Sequence, residues 1–245
     1  MSQPTTAYYR LQAQLEKIIK TTPNGEKLPS EPKLANTLKV SRATLREAMR
    51  IYEVQGLIRR KQGIGTFVVA SPQIIENGLE VLESIETLAE HSGMDITMGD
   101  LEITNVKVNA NLAEILNLSV GAALITIKRI IKADNRPVAF LIDTLPEDIL
   151  SPADLNGGFT GSVLDLLLHR GNPALSISKT EISASPAPTE VARALEIQRG
   201  DTLLLLSAHL FTNTARVIDI SYSYFLPGYF NFHVVRKVGH TNQIT

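Results

Sequence analysis

Apolar residues recur every three or four positions through the first fifty-odd residues and then every second position. Tyr8, Leu11, Leu15, Ile18 and Ile19 predict a helix through Lys20, which Pro23-Asn24-Gly25 stops. A second helix opens with Ser30 as N-cap and Pro32 in its first turn; it turns Leu34, Ala35 and Leu38 inward and ends by Lys39. Ser41 caps a third, in which Leu45, Ala48, Met49 and Tyr52 keep one face apolar. The period then falls to two: Ile58-Arg59-Arg60 and Thr66-Phe67-Val68 predict a hairpin whose tip carries Gly63 and Gly65. Two helices on a tight turn followed by a hairpin make a winged helix-turn-helix.

Beyond Ser71-Pro72 the spacing of Leu79, Leu82, Ile85 and Leu88 predicts a helix over 74–90, with the Ser-Pro pair as a hinge before it. Strands and short helices alternate from Asp100 onward, and one segment repeats. Ala113, Leu116, Gly121, Leu124 and Val138 recur as Ala192, Leu195, Gly200, Leu203 and Val217, always 79 residues on. Each copy reads helix, glycine turn, strand, polar turn (Asp134-Asn135 or Thr212-Asn213) and second strand. Hairpin connections favour antiparallel pairing, so the expectation is an α+β chain in three parts. These are a DNA-binding domain over 1–70, a linker helix over 71–92 and an antiparallel-sheet domain over 93–245.

Charge sharpens this division. The 245 residues carry a net charge of −1, yet residues 1–70 hold twelve Lys and Arg against five Glu (+7), and the remainder twelve against twenty acids (−8). A basic module on an acidic body is the electrostatic mark of a nucleic-acid reader. With no cysteine, disulfides, thiol nucleophiles and Cys-ligated metals are excluded. The longest run without a charged residue, Ile220 to Val235, is 16 residues and is broken by Pro227-Gly228, short of the ~18 needed to span a bilayer. The start, MSQPTTAYYR, lacks the pattern of a secretory signal. The expectation is therefore a cytoplasmic protein with no membrane association, cofactor or metal.

Residues 28–68, LPSEPKLANTLKVSRATLREAMRIYEVQGLIRRKQGIGTFV, resemble the winged helix-turn-helix of GntR-family transcription regulators. Gly121, Arg129, the Asn135-Arg136-Pro137-Val138 turn, Leu145-Pro146 and the Ser221–Phe232 ending resemble the UTRA effector domain of the HutC subfamily, over about residues 80–238. The resemblance implies a homodimeric regulator, by family default a repressor, that binds a double-stranded operator. It also implies a chorismate-lyase-like α+β fold for the second domain, which holds a small-molecule effector, with Arg129 at the family's ligand-facing arginine. The chain departs from the pattern at several places. Pro32 replaces a common arginine and Lys39 a common glycine. In the second domain Ile131, Leu141 and Leu226-Pro227-Gly228 replace ligand-binding charged residues, which argues against a phosphosugar.

On the third helix Arg42, Arg46 and Arg50 share the face opposite the apolar stripe, and guanidinium groups near a recognition helix's start suit guanine edges or phosphates. The expected DNA-contacting set is Ser30, Lys33, Ser41, Arg42, Thr44, Arg46, Arg50, Arg60, Lys61, Gly63 and Gly65; Arg50 serves equally well in an ion pair. The expected effector set is Arg129, Asp143, His209, Asp219, Ser221, Tyr222 and Tyr224, with Phe140 and Phe225 as aromatic lining of a weakly charged pocket. An ion pair with Asp143 is the competing explanation for Arg129, and a solvent-facing strand position explains Asp143, Asp219 and Ser221 equally well. The rival function is an enzyme on the chorismate-lyase-like fold, but no catalytic motif stands out and the five histidines are scattered.

Overall fold

A computed structural model describes residues 6–61, 63–69, 75–155, 159 and 161–236. The chain divides into two compact units, one built on residues up to 73 with Leu226–Tyr229, the other on 74–225 and Phe230 onward. Of the 71–92 segment expected as a linker, the part from 74 on groups with the second unit, and the hinge expected at Ser71-Pro72 lies outside the described residues.

The first unit follows the periodicities closely. Helices α1 (Thr6–Thr21), α2 (Glu31–Leu38) and α3 (Arg42–Val54) precede a hairpin of β1 (Ile58–Lys61) and β2 (Gly65–Val68), with Arg59 opposite Phe67 and Arg60 opposite Thr66. Ser41 caps α3 by accepting from the Thr44 amide at 3.1 Å, whereas the Ser30 hydroxyl makes no cap bond. Leu15, Leu34, Leu45, Ala48 and Met49 meet in one core, closed by Ile58 and Val68 from the hairpin. Tight turning between α2 and α3 is accomplished by Lys39 itself, at φ 54° and ψ 44°. A side chain in this left-handed conformation is strained by roughly 1–2 kcal/mol.

The second unit is a six-stranded antiparallel sheet in the order β4-β5-β6-β9-β8-β7. Its strands are β4 (Ile96–Lys107), β5 (Ala123–Ala133), β6 (Arg136–Pro146), β7 (Leu175–Pro186), β8 (Thr202–Thr212) and β9 (Val217–Phe225). Duplication accounts for the order: β4, helix α5 (Ala110–Leu116), β5 and β6 return as β7, helix α7 (Thr189–Ala194), β8 and β9, and the two copies join edge to edge through β6 and β9. Gly121 and Gly200 keep the same left-handed turn in both, at φ 89° and 87°. The second hairpin is one residue longer. Both hairpins carry a bulge, at Val138 and at Ile218, each fully buried, so Ile218 and not Val217 fills the place that Val138 holds in the first copy.

Alternation sorts the sheet into two faces. Leu124 and Ile220 turn towards α5, while Ile125, Ile127, Leu145 and Leu210 turn towards helix α6 (Val163–Arg170). The helix expected over 74–90 is not found as such. Strand β3 (Ile75–Gly78) pairs in parallel with β10 (Phe230–His233), a turn follows, and only α4 (Ile85–His91) is helical, capped by Ser84. Asn77-Gly78 interrupts the pattern that suggested one helix, and no lever spans the segment.

Replacing Lys39 by Gly removes the penalty of a Cβ at positive φ. Lys39→Gly is expected to stabilise the protein by roughly 1 kcal/mol, read as a higher urea midpoint at unchanged slope. An unchanged or lower midpoint would show that the turn carries no strain.

Candidate DNA-reading surface and effector cavity

Burying Leu45, Ala48, Met49 and Tyr52 rotates Arg42, Thr44 and Arg46 outward at the first two turns of α3, all three exposed, as are Ser30, Ser41 and Lys33. The Ser41 and Thr44 hydroxyls sit 2.8 Å apart. Arg50 is half-buried and pairs with Glu47 at 3.5 Å, an ion pair one helical turn away. In the wing Arg60 and Lys61 are exposed, the Lys61 ammonium lies 5.3 Å from the Phe67 ring centre, and Gly63 and Gly65 occupy φ 73° and 143°. The expected DNA-contacting residues thus lie on the N-terminal turns of α2 and α3 and on the hairpin, except Arg50, which lies further along α3.

One participant escaped the sequence reading. Glu31, at the start of α2, accepts from Arg46 Nε at 2.7 Å and holds an Arg60 terminal nitrogen at 3.2 Å. A single carboxylate thus orients one arginine of α3 and one of the wing. The sequence shows Glu31 only as an acid in a helix's first turn, because its partners lie 15 and 29 positions away.

In the second unit a cavity of about 550 Å³ opens on the face of the sheet that carries Arg129, Asp143, Asp219 and Ser221. Of the expected effector residues these four line it, and Phe225 does also. His209, Tyr222, Tyr224 and Phe140 do not. The reason is the period of two: Ala208, Leu210, Ser221 and Ser223 face the cavity, so their neighbours along the same strands face the other way. The expectation that these four residues join the lining is corrected accordingly. Residues that the sequence reading missed include Glu86 of α4 and, on β7, Ser176, Ser178 and Thr180.

Arg129, 4% exposed, is the centre of this face. Its terminal nitrogens donate to Glu86 at 3.0 Å and Asp143 at 3.3 Å. Its buried Nε has no hydrogen-bond partner among the described residues. Asp219 accepts from the Thr144 amide at 3.2 Å. Burial raises the Asp219 carboxyl well above the ordinary carboxylate range and the charge of Asp143 adds to it. Asp143 and Glu86 are also raised by burial, with Arg129 pulling both back.

A winged helix with an arginine-bearing recognition face, on a chain that also encloses a cavity lined by charged groups, defines a regulator that reads DNA and senses a small molecule. Residues 7–68 match the family described as bacterial regulatory proteins, gntR family, and residues 91–231 match the UTRA domain. The chain belongs to the GntR family and carries a UTRA effector domain; it is a DNA-binding transcriptional regulator. It is 31% identical over 209 residues to the HTH-type transcriptional repressor NagR of Bacillus subtilis (strain 168), covering 83% of each chain. Identity is 28% over 212 residues to the histidine utilization repressor of Pseudomonas putida, covering 83% of this chain and 81% of that one. The crystal structure of PhnF from Mycobacterium smegmatis shares the fold, with a TM-score of 0.63 at 20% identity over 94% of this chain and 100% of that chain.

Because the folded state raises the Asp219 pKa, it binds a proton more tightly than the unfolded chain does. The stability from that proton is present at low pH and is lost as pH rises from the ordinary carboxylate range through the raised value. Asp219→Asn keeps an oxygen for the Thr144 amide and cannot ionise, so it is expected to melt above wild type at pH 8, by a margin that closes towards pH 4. A margin independent of pH would contradict the assignment.

Proposed function

We propose that the chain is a cytoplasmic, homodimeric repressor that releases or gains its operator when a small molecule enters the second-domain cavity. The observation that carries the DNA side of this reading is the outward face of α3, where Arg42, Thr44 and Arg46 stand at the helix start above a buried stripe. Residues in that position reach base edges in a major groove, while Arg60, Lys61 and the Gly63–Gly65 tip suit phosphates and the adjacent minor groove. Ser30, Lys33 and Ser41 supply hydroxyl, ammonium and amide donors for the backbone, and Arg50 a more distant contact. Repression is proposed by likeness to the NagR and histidine utilization relatives, both of them repressors. Two protomers reading a two-fold operator would place half-sites about one turn, ~34 Å, apart.

Within the cavity Arg129, Asp143, Asp219 and Ser221 are the proposed effector contacts, supported by their shared lining and deep burial. The chain acts by binding and not by catalysis, in keeping with relatives that are regulators. No helix among the described residues is long and apolar enough to cross a membrane.

On a selected operator Arg46→Ala is expected to cost ~1–3 kcal/mol and to relax specificity. Lys61→Ala weakens all sequences alike and makes the slope of log K against log salt shallower by about 0.9 per lost phosphate contact. Light scattering should return a dimer. Equal effects of the two substitutions on specific and random DNA, or a chain that stays monomeric at assay concentrations, contradicts the proposal.

A further inference from the structure

The charge of the cavity wall constrains what can occupy it. Five carboxyl groups line it, those of Glu80, Glu83, Glu86, Asp143 and Asp219, and among the described lining residues Arg129 is the single basic one. Two of Arg129's three nitrogens are already committed, to Glu86 and Asp143. Asp219, 6% exposed, lines the cavity without an ion pair among the described residues and accepts from the Thr144 backbone amide. A phosphate placed beside Arg129 would meet the buried Asp143 and Asp219, where like charges repel strongly. A positive group would relieve both Asp219 and its neighbour Asp143.

Two further features agree. Phe225 and Phe232 also line the cavity, with ring centres 5.1 Å apart, and aromatic faces attract cations. The unpartnered Nε–H of Arg129 asks for an acceptor. Among the described residues no three His, Cys, Asp or Glu are grouped as metal ligands, and the aromatic wall itself suits an organic cation.

We infer that the effector is a phosphate-free organic cation: a protonated nitrogen at Asp219 beside the aromatic wall, with a neutral acceptor turned to Arg129. This rests on the reading of the cavity as the effector site. Three probes on one skeleton test it by titration calorimetry with the full chain: 2-phenylethylamine, 2-phenylethanol and 2-phenylethyl phosphate. The amine is expected to bind about tenfold or more tighter than the alcohol, as a charge-assisted hydrogen bond allows, and the phosphate least. In Asp219→Asn the amine's advantage should fall to within about threefold while alcohol binding persists. If that variant does not fold, the order of the three probes on wild type decides alone. Tightest binding by the phosphate, parity of amine and alcohol, or an amine preference untouched by Asp219→Asn overturns the inference and leaves the cavity an effector site. Failure of all three probes to bind at millimolar concentration overturns both.

Discussion

One buried guanidinium faces three buried or half-buried carboxyl groups, and the second unit is organised around that imbalance. Arg129 stands on β5, Asp143 on β6, Asp219 on β9 and Glu86 on α4, so a single constellation ties three adjacent strands to the helix that borders the cavity. Removing the arginine would leave acids without compensation, a change that typically costs several kcal/mol in a desolvated site. Adding a suitable occupant has the opposite sign. That shortage of positive charge is what the proposed cationic effector would meet.

Duplication built the frame and divergence made the site. The position of Arg129 is taken by Ala208 in the second copy. Because the second hairpin is one residue longer at its turn, Asp143 corresponds to Ser223 and Asp219 to Ala139. Each copy therefore contributes one of the two sheet acids, and only the first contributes the base. A bulge sits immediately before Asp219 and, at the matching place in the first copy, before Ala139, so the frame is shared and the carboxylate is what diverged.

What was legible in the sequence follows the range of the interactions. The first unit rests on helical periodicity, caps and a glycine-tipped hairpin, all settled within a few residues, and its elements lie where the pattern places them. The duplication likewise disclosed the two hairpins of the sheet, β5-β6 and β8-β9, though not its edge strands β4 and β7. Which face of each strand meets the cavity was not legible, because an alternating strand presents two candidate sets and the choice is made by packing against α6 from elsewhere in the chain. His209, Tyr222 and Tyr224 were assigned to the wrong set for this reason. Residues 75–78 suit a helix as well as a strand until their partner is known, and β10 lies some 150 residues further on. Glu31 and Glu86 share this origin: each is an ordinary helix acid until the fold delivers an arginine to it.

The account's central claim is that the cavity and the DNA-reading surface are coupled sites of one protein. The direct measurement is the dissociation constant for a labelled operator, by fluorescence anisotropy, without and with a saturating amount of whichever compound most raises the melting temperature of the chain. A coupling of ~1–3 kcal/mol predicts a change of about 5–150-fold, matched by an equal change in that compound's affinity when operator is bound. Identical operator affinities with the cavity occupied and empty would contradict it.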